Sequence, residues 1–522
     1  MTAEHAPVTR REWLGLVGLL VAAIAVRFVD LATRGTWDAD QGHDMLVLQA
    51  LVRDGTVPLV GPPTSVGGFH HGALYYYLLA PFAAVSGANP LAVVAAIAAA
   101  GVVAVAVVWW LGRAMAAPGA GAVAGLVAAG LMAVSASAIE ESTFIWNPNL
   151  IALSSAAALA AAWRAWTTRH ARWWLLAAVA QAVTMHCHVL GAVQLLPLAG
   201  LLFVDAGRCD PGEGRARVLA AGLAGAAIIA ASYLPLLAHE IGLGFPESRA
   251  LIEFIRSDVD DDAGPLPVRI AIVWLRVLSW PLAGLATDRP QVAVVAATMV
   301  LAALGWRLVA ARGSERTAVR WLAATLAWGA TSIAIVSSSL ARVVPGLPND
   351  HYHAFLDPVV FVIVGLAAGA VWRARRRSVR VARVAVTAAV AGIVAVNVAI
   401  WPPRVASDGG YPGAERAAAQ LLQALGGRPY VLLGEPAIKS TDAYAFPLGR
   451  LGRPPDDARS PRDHVVVIAC DRLLEAFSGP CGGTAEDRRV ASLDGSWSLE
   501  ARFDASSRTV LSIYAPVAAV AP

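Results

Sequence analysis

The residues best suited to chemistry begin in the stretch Trp37-Asp38-Ala39-Asp40-Gln41-Gly42-His43-Asp44. Asp40 and Asp44 stand four apart, on one face if the stretch is helical. A carboxylate at a lipid–water boundary is partly desolvated, which raises its pKa and suits it to act as a general base. Asp38 or Asp40 can equally cap a helix beginning near Gly42, because a short side-chain oxygen satisfies the free N–H groups of a first turn. Further along come His70, His71 and the triplet Tyr75-Tyr76-Tyr77, which either anchors a helix at a membrane interface or stacks on a sugar. Glu141, Asn147, His186, Arg342, His351, Tyr352 and His353 complete the set of candidates. Displacing a phosphate from the anomeric carbon of a sugar needs a base for the incoming hydroxyl and positive charge for the leaving phosphate. Asp40 offers the first, with Asp44 beside it; Arg342, His71, His351 and His353 offer the second. A metal site built from Asp40, His186 and His188 is a looser alternative, because His-x-His at a turn is weak evidence for a ligand pair. A divalent cation (Mg or Mn) is therefore the one cofactor left open. The acidic run Asp258, Asp260, Asp261 and Asp262 reads as a solvated loop.

These residues need elements to hold them, and the composition says of what kind. The 522 residues are 57% hydrophobic and 15% charged, with a mean hydropathy of +0.59. Soluble domains carry about 25% charged residues, so the chain reads as a multi-pass membrane protein, mainly α-helical, with the lipid bilayer as its main solvent. A net charge of +4 is too small for a nucleic-acid footprint. Spans need about 20 apolar residues. Runs at 13–31, 91–111, 121–138, 149–166, 173–189, 190–206, 218–237, 290–306, 321–341, 354–372 and 383–401 make about eleven. With that count Arg113, the Arg164–Arg172 cluster, the Arg208–Arg217 cluster, Arg307–Arg320 and Arg373–Arg383 all fall on one side, which the positive-inside rule makes cytoplasmic. The N-terminus is then cytoplasmic. Gly72–Val85 and Val268–Leu285 are read as juxtamembrane or re-entrant helices, since counting both as spans would invert the clusters between them.

The resulting map has two parts. Residues 1–401 form the membrane domain, with outer loops at 32–90 and 238–289, and residues 402–522 form a small extracytoplasmic α/β domain. In the latter, strands are expected at Tyr430–Leu433 and His464–Ala469, a helix at Gly413–Leu425 and a hairpin across Trp497–Tyr514. Cys470 and Cys481 lie there, on the oxidising side, where a disulfide can form. Of the eleven histidines, His43, His70, His71, His186, His188, His239, His351 and His353 fall on the outer face. Gly119, Gly121 and Gly125 sit at the start of an Ala-rich span and read as close helix packing rather than a nucleotide loop.

In order along the chain, Asp40-Gln41-Gly42-His43-Asp44, Gly61-Pro62 followed by Gly72-Ala73-Leu74-Tyr75-Tyr76-Tyr77, Trp146-Asn147-Pro148, His186, Tyr233-Leu234-Pro235 and His351-Tyr352-His353 with Pro358 resemble the landmarks of bacterial GT-C glycosyltransferases. The protein-mannosyltransferase and aminoarabinose-transferase type, glycosyltransferase family 39, is the nearest in pattern, over about residues 13–400. The resemblance implies a plasma-membrane enzyme that takes a sugar from a polyprenyl-phosphate donor and transfers it, with inversion, to an extracytoplasmic glycan, lipid or protein. It makes Asp40 the matching first-loop base. Relatives often carry Arg where His43 and His351 stand. A transporter or flippase of lipid-linked sugars is the alternative. It is disfavoured because the ionisable residues gather at span ends rather than mid-membrane.

Overall fold

The computed structural model describes residues 7–64, 68–256, 264–337, 340, 349–374, 379–456, 464–493 and 495–517. Arg342 and the acidic run 258–262 lie outside the described residues, so the expectations for them end with the sequence. The helices used below are α1 (Arg10–Phe28), α2 (Ala39–Arg53), α3 (Leu74–Ser86), α4 (Pro90–Met115), α5 (Gly121–Val134), α6 (Ile151–Thr168), α7 (Arg172–Cys187), α8 (Leu195–Gly207), α9 (Glu213–Ser232), α10 (Leu266–Ala283), α11 (Pro290–Ala310), α12 (Gly313–Val336), α13 (Asp357–Arg373) and α14 (Val379–Ala399). Among the described residues, nine helical segments are long and apolar enough to cross a bilayer.

Ion pairs define the two ends of the bundle. At one end Arg113 at the close of α4 meets Glu12 at the start of α1 at 2.7 Å, and Arg307 of α11 meets Glu315 of α12 at 2.8 Å. At the other end lie Asp38–Asp44 and the histidines, and we call it the site end. All the long helices but α10 run between the two ends, together with the shorter α5, α7 and α8. α5 is only 14 residues long and reaches the site end by continuing, after a break at Ser135, into Ala136–Glu140.

α10 is long enough to span, yet both its termini are fixed at the site end. Arg269 donates to the Ile335 carbonyl at 3.0 Å at the end of α12. The Pro281 carbonyl accepts from Ser135 at 2.8 Å, and that of Leu282 accepts from Asn397 at 2.8 Å. The helix therefore lies across the tops of its neighbours. α3, with 13 residues, packs beside α2.

The interior is closed by small residues. A Cβ on Gly365 or Gly369 of α13 would strike the Ala124 or Ala120 carbonyl of α5, and one on Gly125 would strike the Trp109 carbonyl of α4. Gly125 of the Ala-rich span thus lets helices approach closely, as small residues do in lipid, whereas Gly119, with a φ of +81°, has open space around it.

After α14 the chain forms α15 (Gly410–Leu425) and α16 (Asp442–Arg450) on a four-stranded sheet of order β3-β4-β6-β5. Its strands are β3 (Tyr430–Glu435), β4 (Val465–Asp471), β5 (Trp497–Asp504) and β6 (Thr509–Pro516); β1 (Val60–Pro63) and β2 (His70–Gly72) form a separate antiparallel pair in the first loop. β3 and β4 are parallel, and every residue in both is buried, as expected for strands covered on both faces. Cys470 and Cys481 are disulfide-bonded. This unit sits on the site end. Trp37 donates to the Ala443 carbonyl at 2.7 Å and packs on Tyr411 with ring centres 4.7 Å apart, while its backbone N–H reaches Asp408 at 2.9 Å.

Candidate active site

Asp38 starts the site by starting α2. It accepts from the Ala39 N–H at 2.8 Å, while Gln41 accepts from the Asp38 N–H at 2.8 Å, a reciprocal cap. The capping role therefore falls to Asp38, which points toward Lys439 of the C-terminal unit, at 2.9 Å, and not into the cavity described next. With the first turn fixed, Asp40, His43 and Asp44 follow on one helical face.

That face forms one wall of a cavity at the site end. Its polar lining consists of Asp40, His43, Asp44, His71, Asn147, His188, His351 and Tyr352; its apolar lining includes Pro62, Pro63, Phe69, Leu190, Phe254 and Val336. Five elements deliver the polar side chains, the turn after α7 supplying His188. α2 brings the acids, and β2 brings His71. The segment 146–150 brings Asn147, whose amide donates to the Cys187 carbonyl at 2.6 Å. The turn 350–356 brings His351 and Tyr352.

Asp40 opens to the cavity, yet protein surrounds it on the other sides. Burial raises its pKa, Asp38 raises it further, and Lys439 and a hydrogen bond from Trp146 oppose the shift. Asp44 lies deeper. Its carboxylate accepts from Tyr75 at 2.9 Å and Tyr76 at 2.8 Å, yet burial pushes it up to about 7. Tyr75 and Tyr76 turn these hydroxyls inward: Tyr75, a candidate binding residue, is wholly buried and holds Asp44. His43 Nδ1 meets Asp442 of α16 at 2.9 Å, and that bond raises its pKa against the effect of burial.

Other candidates lie outside the cavity. His186 is wholly buried behind it, with Nδ1 accepting from the Leu74 N–H at 3.3 Å, Nε2 on Ser232 at 2.9 Å and its ring stacked on Tyr233. Both its nitrogens are thus engaged, which takes it out of a shared ligand set with Asp40 and His188. His70 turns away to Glu247 at 3.0 Å. His353 is wholly buried between Asp350, at 3.1 Å, and Asp357, at 3.7 Å. Glu141 also lies off the cavity lining; burial, then Asp357, pushes its carboxyl well up.

Sequence reasoning passed over Arg276, Lys439 and Asp442, which build the site, and weighed His188 only as a metal ligand. His188 lines the cavity. Arg276 of α10 grips Asp350 through two nitrogens at 2.8 and 2.5 Å, fixing the turn that carries His351. Lys439 joins Asp38 to Asp471, each at 2.9 Å, and Asp442 holds His43. Of the three passed over, only Lys439, the sole lysine, stands out in the sequence.

An amphipathic cavity at one end of a bundle of spans, capped by a small α/β unit, defines a class: the chain has the fold of the GT-C membrane glycosyltransferases. Residues 70–234 match the family model of dolichyl-phosphate-mannose-protein mannosyltransferases. ArnT from Cupriavidus metallidurans, solved bound to undecaprenyl phosphate, superposes over 98% of this chain and 100% of its own, with a TM-score of 0.58 and 16% identity. The Archaeoglobus fulgidus oligosaccharyltransferase AglB, solved with an inhibitory peptide and a dolichol-phosphate, aligns over 98% of this chain and 75% of its own, with a TM-score of 0.50 and 12% identity. Arabinofuranosyltransferase AftD from Mycobacteria aligns over 98% of this chain but 42% of its own, with a TM-score of 0.52 and 13% identity. No curated protein sequence matches the chain.

Proposed function

We propose that the protein transfers a sugar from a polyprenyl-phosphate donor to an extracytoplasmic glycan, lipid or protein acceptor. The observation that carries this reading is the mixed polar and apolar lining of the cavity. A carboxylate of raised pKa and a group of imidazoles line the cavity together with Pro62, Phe69, Leu190, Phe254 and Val336, which suit a lipid. Asp40 takes the proton of the acceptor hydroxyl as the acceptor oxygen bonds to the anomeric carbon. The bond from that carbon to the phosphate oxygen breaks on the opposite face, and its electron pair leaves with the polyprenyl phosphate. Attack and departure on opposite faces invert the anomeric centre. Placing the site outside the cell puts the N-terminus and the Arg-rich end in the cytoplasm, as the positive-inside rule asks.

Purified protein in bilayers, offered a panel of polyprenyl-phosphate sugars with and without Mg or Mn, should give transfer or slow donor hydrolysis. Neither product with any sugar would sink the reading. Single cysteines at positions 314 and 407 should label from the inside and the outside respectively, and the reverse would overturn the orientation.

A further inference from the structure

The cavity wall holds three imidazoles in a row. The His71 and His188 ring centres are 5.4 Å apart, and those of His188 and His351 5.5 Å. Each residue is less than a tenth exposed. Nδ1 of His71 and Nδ1 of His351 are buried and meet no hydrogen-bond partner among the described residues. Nδ1 of His188 accepts from the Leu190 N–H at 3.2 Å, so its proton sits on Nε2 and that nitrogen can only donate. A ring locked this way is a poor metal ligand at Nε2 and a good donor to an anionic oxygen.

The charges around the row are largely compensated elsewhere. On the turn that carries His351, Asp350 is held by Arg276 and His353, and Asp357 faces His353. Glu141 lies behind them, its carboxyl pushed toward the neutral form. Beside His71, His70 is paired to Glu247, which also meets His239 at 3.4 Å, and His186 is tied to Ser232. From α2, His43 is paired to Asp442, and Asp44 is held by two tyrosine hydroxyls. Asp40 is the acid left facing the cavity.

We propose that His71, His188 and His351 form a proton-linked cradle for the phosphate of a lipid-linked phosphodiester: neutral while the cavity is empty, the cluster takes up one proton as the anion enters. The proposal rests on the donor reading above and adds how the phosphate is held. Burial lowers His71 to about 4 and His351 to about 3 and lowers His188 as well, so at neutral pH the empty row carries no charge. An anion against the rings favours their charged form. Between the low free value and the raised bound value, binding and proton uptake are one event. Affinity must then fall as pH rises, about tenfold per unit for one proton.

The test uses the full protein in phospholipid nanodiscs and a polyprenyl methyl phosphodiester. A diester avoids the second ionisation near pH 6 that a monoester would add, since that ionisation occurs at about the same pH as the expected effect. Calorimetry in buffers of different ionisation enthalpy should show uptake of about one proton, and the dissociation constant should rise about tenfold per unit between roughly pH 6 and 7.5. The variant His71→Gln with His351→Gln removes both rings whose Nδ1 is free to take the proton and keeps neutral donors, so it should still bind at about pH 8 but lose the slope. Binding by the wild type that is flat in pH, or a slope retained by the double variant, would overturn the cradle alone. Heat no greater than that of the phospholipid discs by themselves, at every pH, would overturn the donor reading together with it.

Discussion

At the scale of single residues, Asp40 and Asp44 are one helical turn apart and differ in what surrounds them. Asp44 spends both oxygens on tyrosines; Asp40 keeps its carboxylate toward the cavity. Asp40→Asn should therefore cut turnover by about 10²–10⁴-fold, the usual worth of a general base, while phosphodiester binding stays within a few-fold. Equal loss of both would remove Asp40 from the role of base. Because its folded pKa is raised, the active carboxylate form is lost from a higher pH downward than for an ordinary Asp, and the acid limb of the turnover profile should lie above 3.8. His43 shifts upward too, with the opposite consequence for stability. Its pair with Asp442 is fully formed below the ordinary 6.5 and is lost as pH rises through the raised folded value. The pair is partly exposed, so it is worth at most about 1 kcal/mol. The melting temperature should fall slightly from pH 6 to 8.5 in wild type and less in Asp442→Asn, as scanning calorimetry would register. Asp38 shows the limit of reading single residues. A cap and a base ask for the same side chain, and only the partner atoms separate them.

At the scale of elements, the hairpin β1–β2 and the turn 350–356 carry imidazoles to the cavity, and each is pinned from behind. A Cβ on Gly72 would overlap the His186 ring, so β2 sits where it does because residue 72 has no side chain. Gly72→Ala should push β2 and His71 away from the cavity, weakening phosphodiester binding at least tenfold with a modest loss of thermal stability. Unchanged binding would show that this close approach does not position His71. Arg276→Ala strands Asp350 in the interior, a loss of about 3–5 kcal/mol for a broken buried pair. Its chemical denaturation midpoint should drop accordingly. The crossing helices were legible because runs of about 20 apolar residues have few other uses. α10 was harder, because a helix lying across the bundle tops shares its length and apolarity with one that spans. The Arg clusters on neighbouring loops, not hydropathy, settled its placement in the sequence reading. His188 is read from sequence only as a loose metal ligand beside His186, because a His-x-His turn looks the same whichever ring faces inward.

At the scale of the whole molecule, the C-terminal unit is part of the site's construction. Lys439 bridges Asp38 of the first loop and Asp471 of β4; burial alone would lower its pKa, but the two acids outweigh it and raise it. Lys439→Ala leaves two carboxylates facing each other and should cost about 1.5–3 kcal/mol, the range for hydrogen bonds to charged groups. It should also loosen the start of α2, so limited proteolysis near residue 405 should quicken; an unchanged rate would show that docking relies on Trp37 and Asp408 instead. None of this could be read from the chain, because partners such as Asp38 and Lys439 lie about 400 residues apart. The strands and the helix of this unit were legible from local pattern, and its docking was not. α13 carries a consequence for how the protein is made. In the segment Asp350–Arg373 the most apolar window is 94% buried inside the bundle, although its mean hydropathy of 2.2 is among the highest of the spans. The span at the centre of the molecule is thus translated after nearly all the helices that surround it. Those earlier helices must wait in the bilayer with a slot filled by lipid or by the translocation machinery until α13 arrives. A ribosome stalled before residue 357 should leave a loosely packed, protease-sensitive bundle.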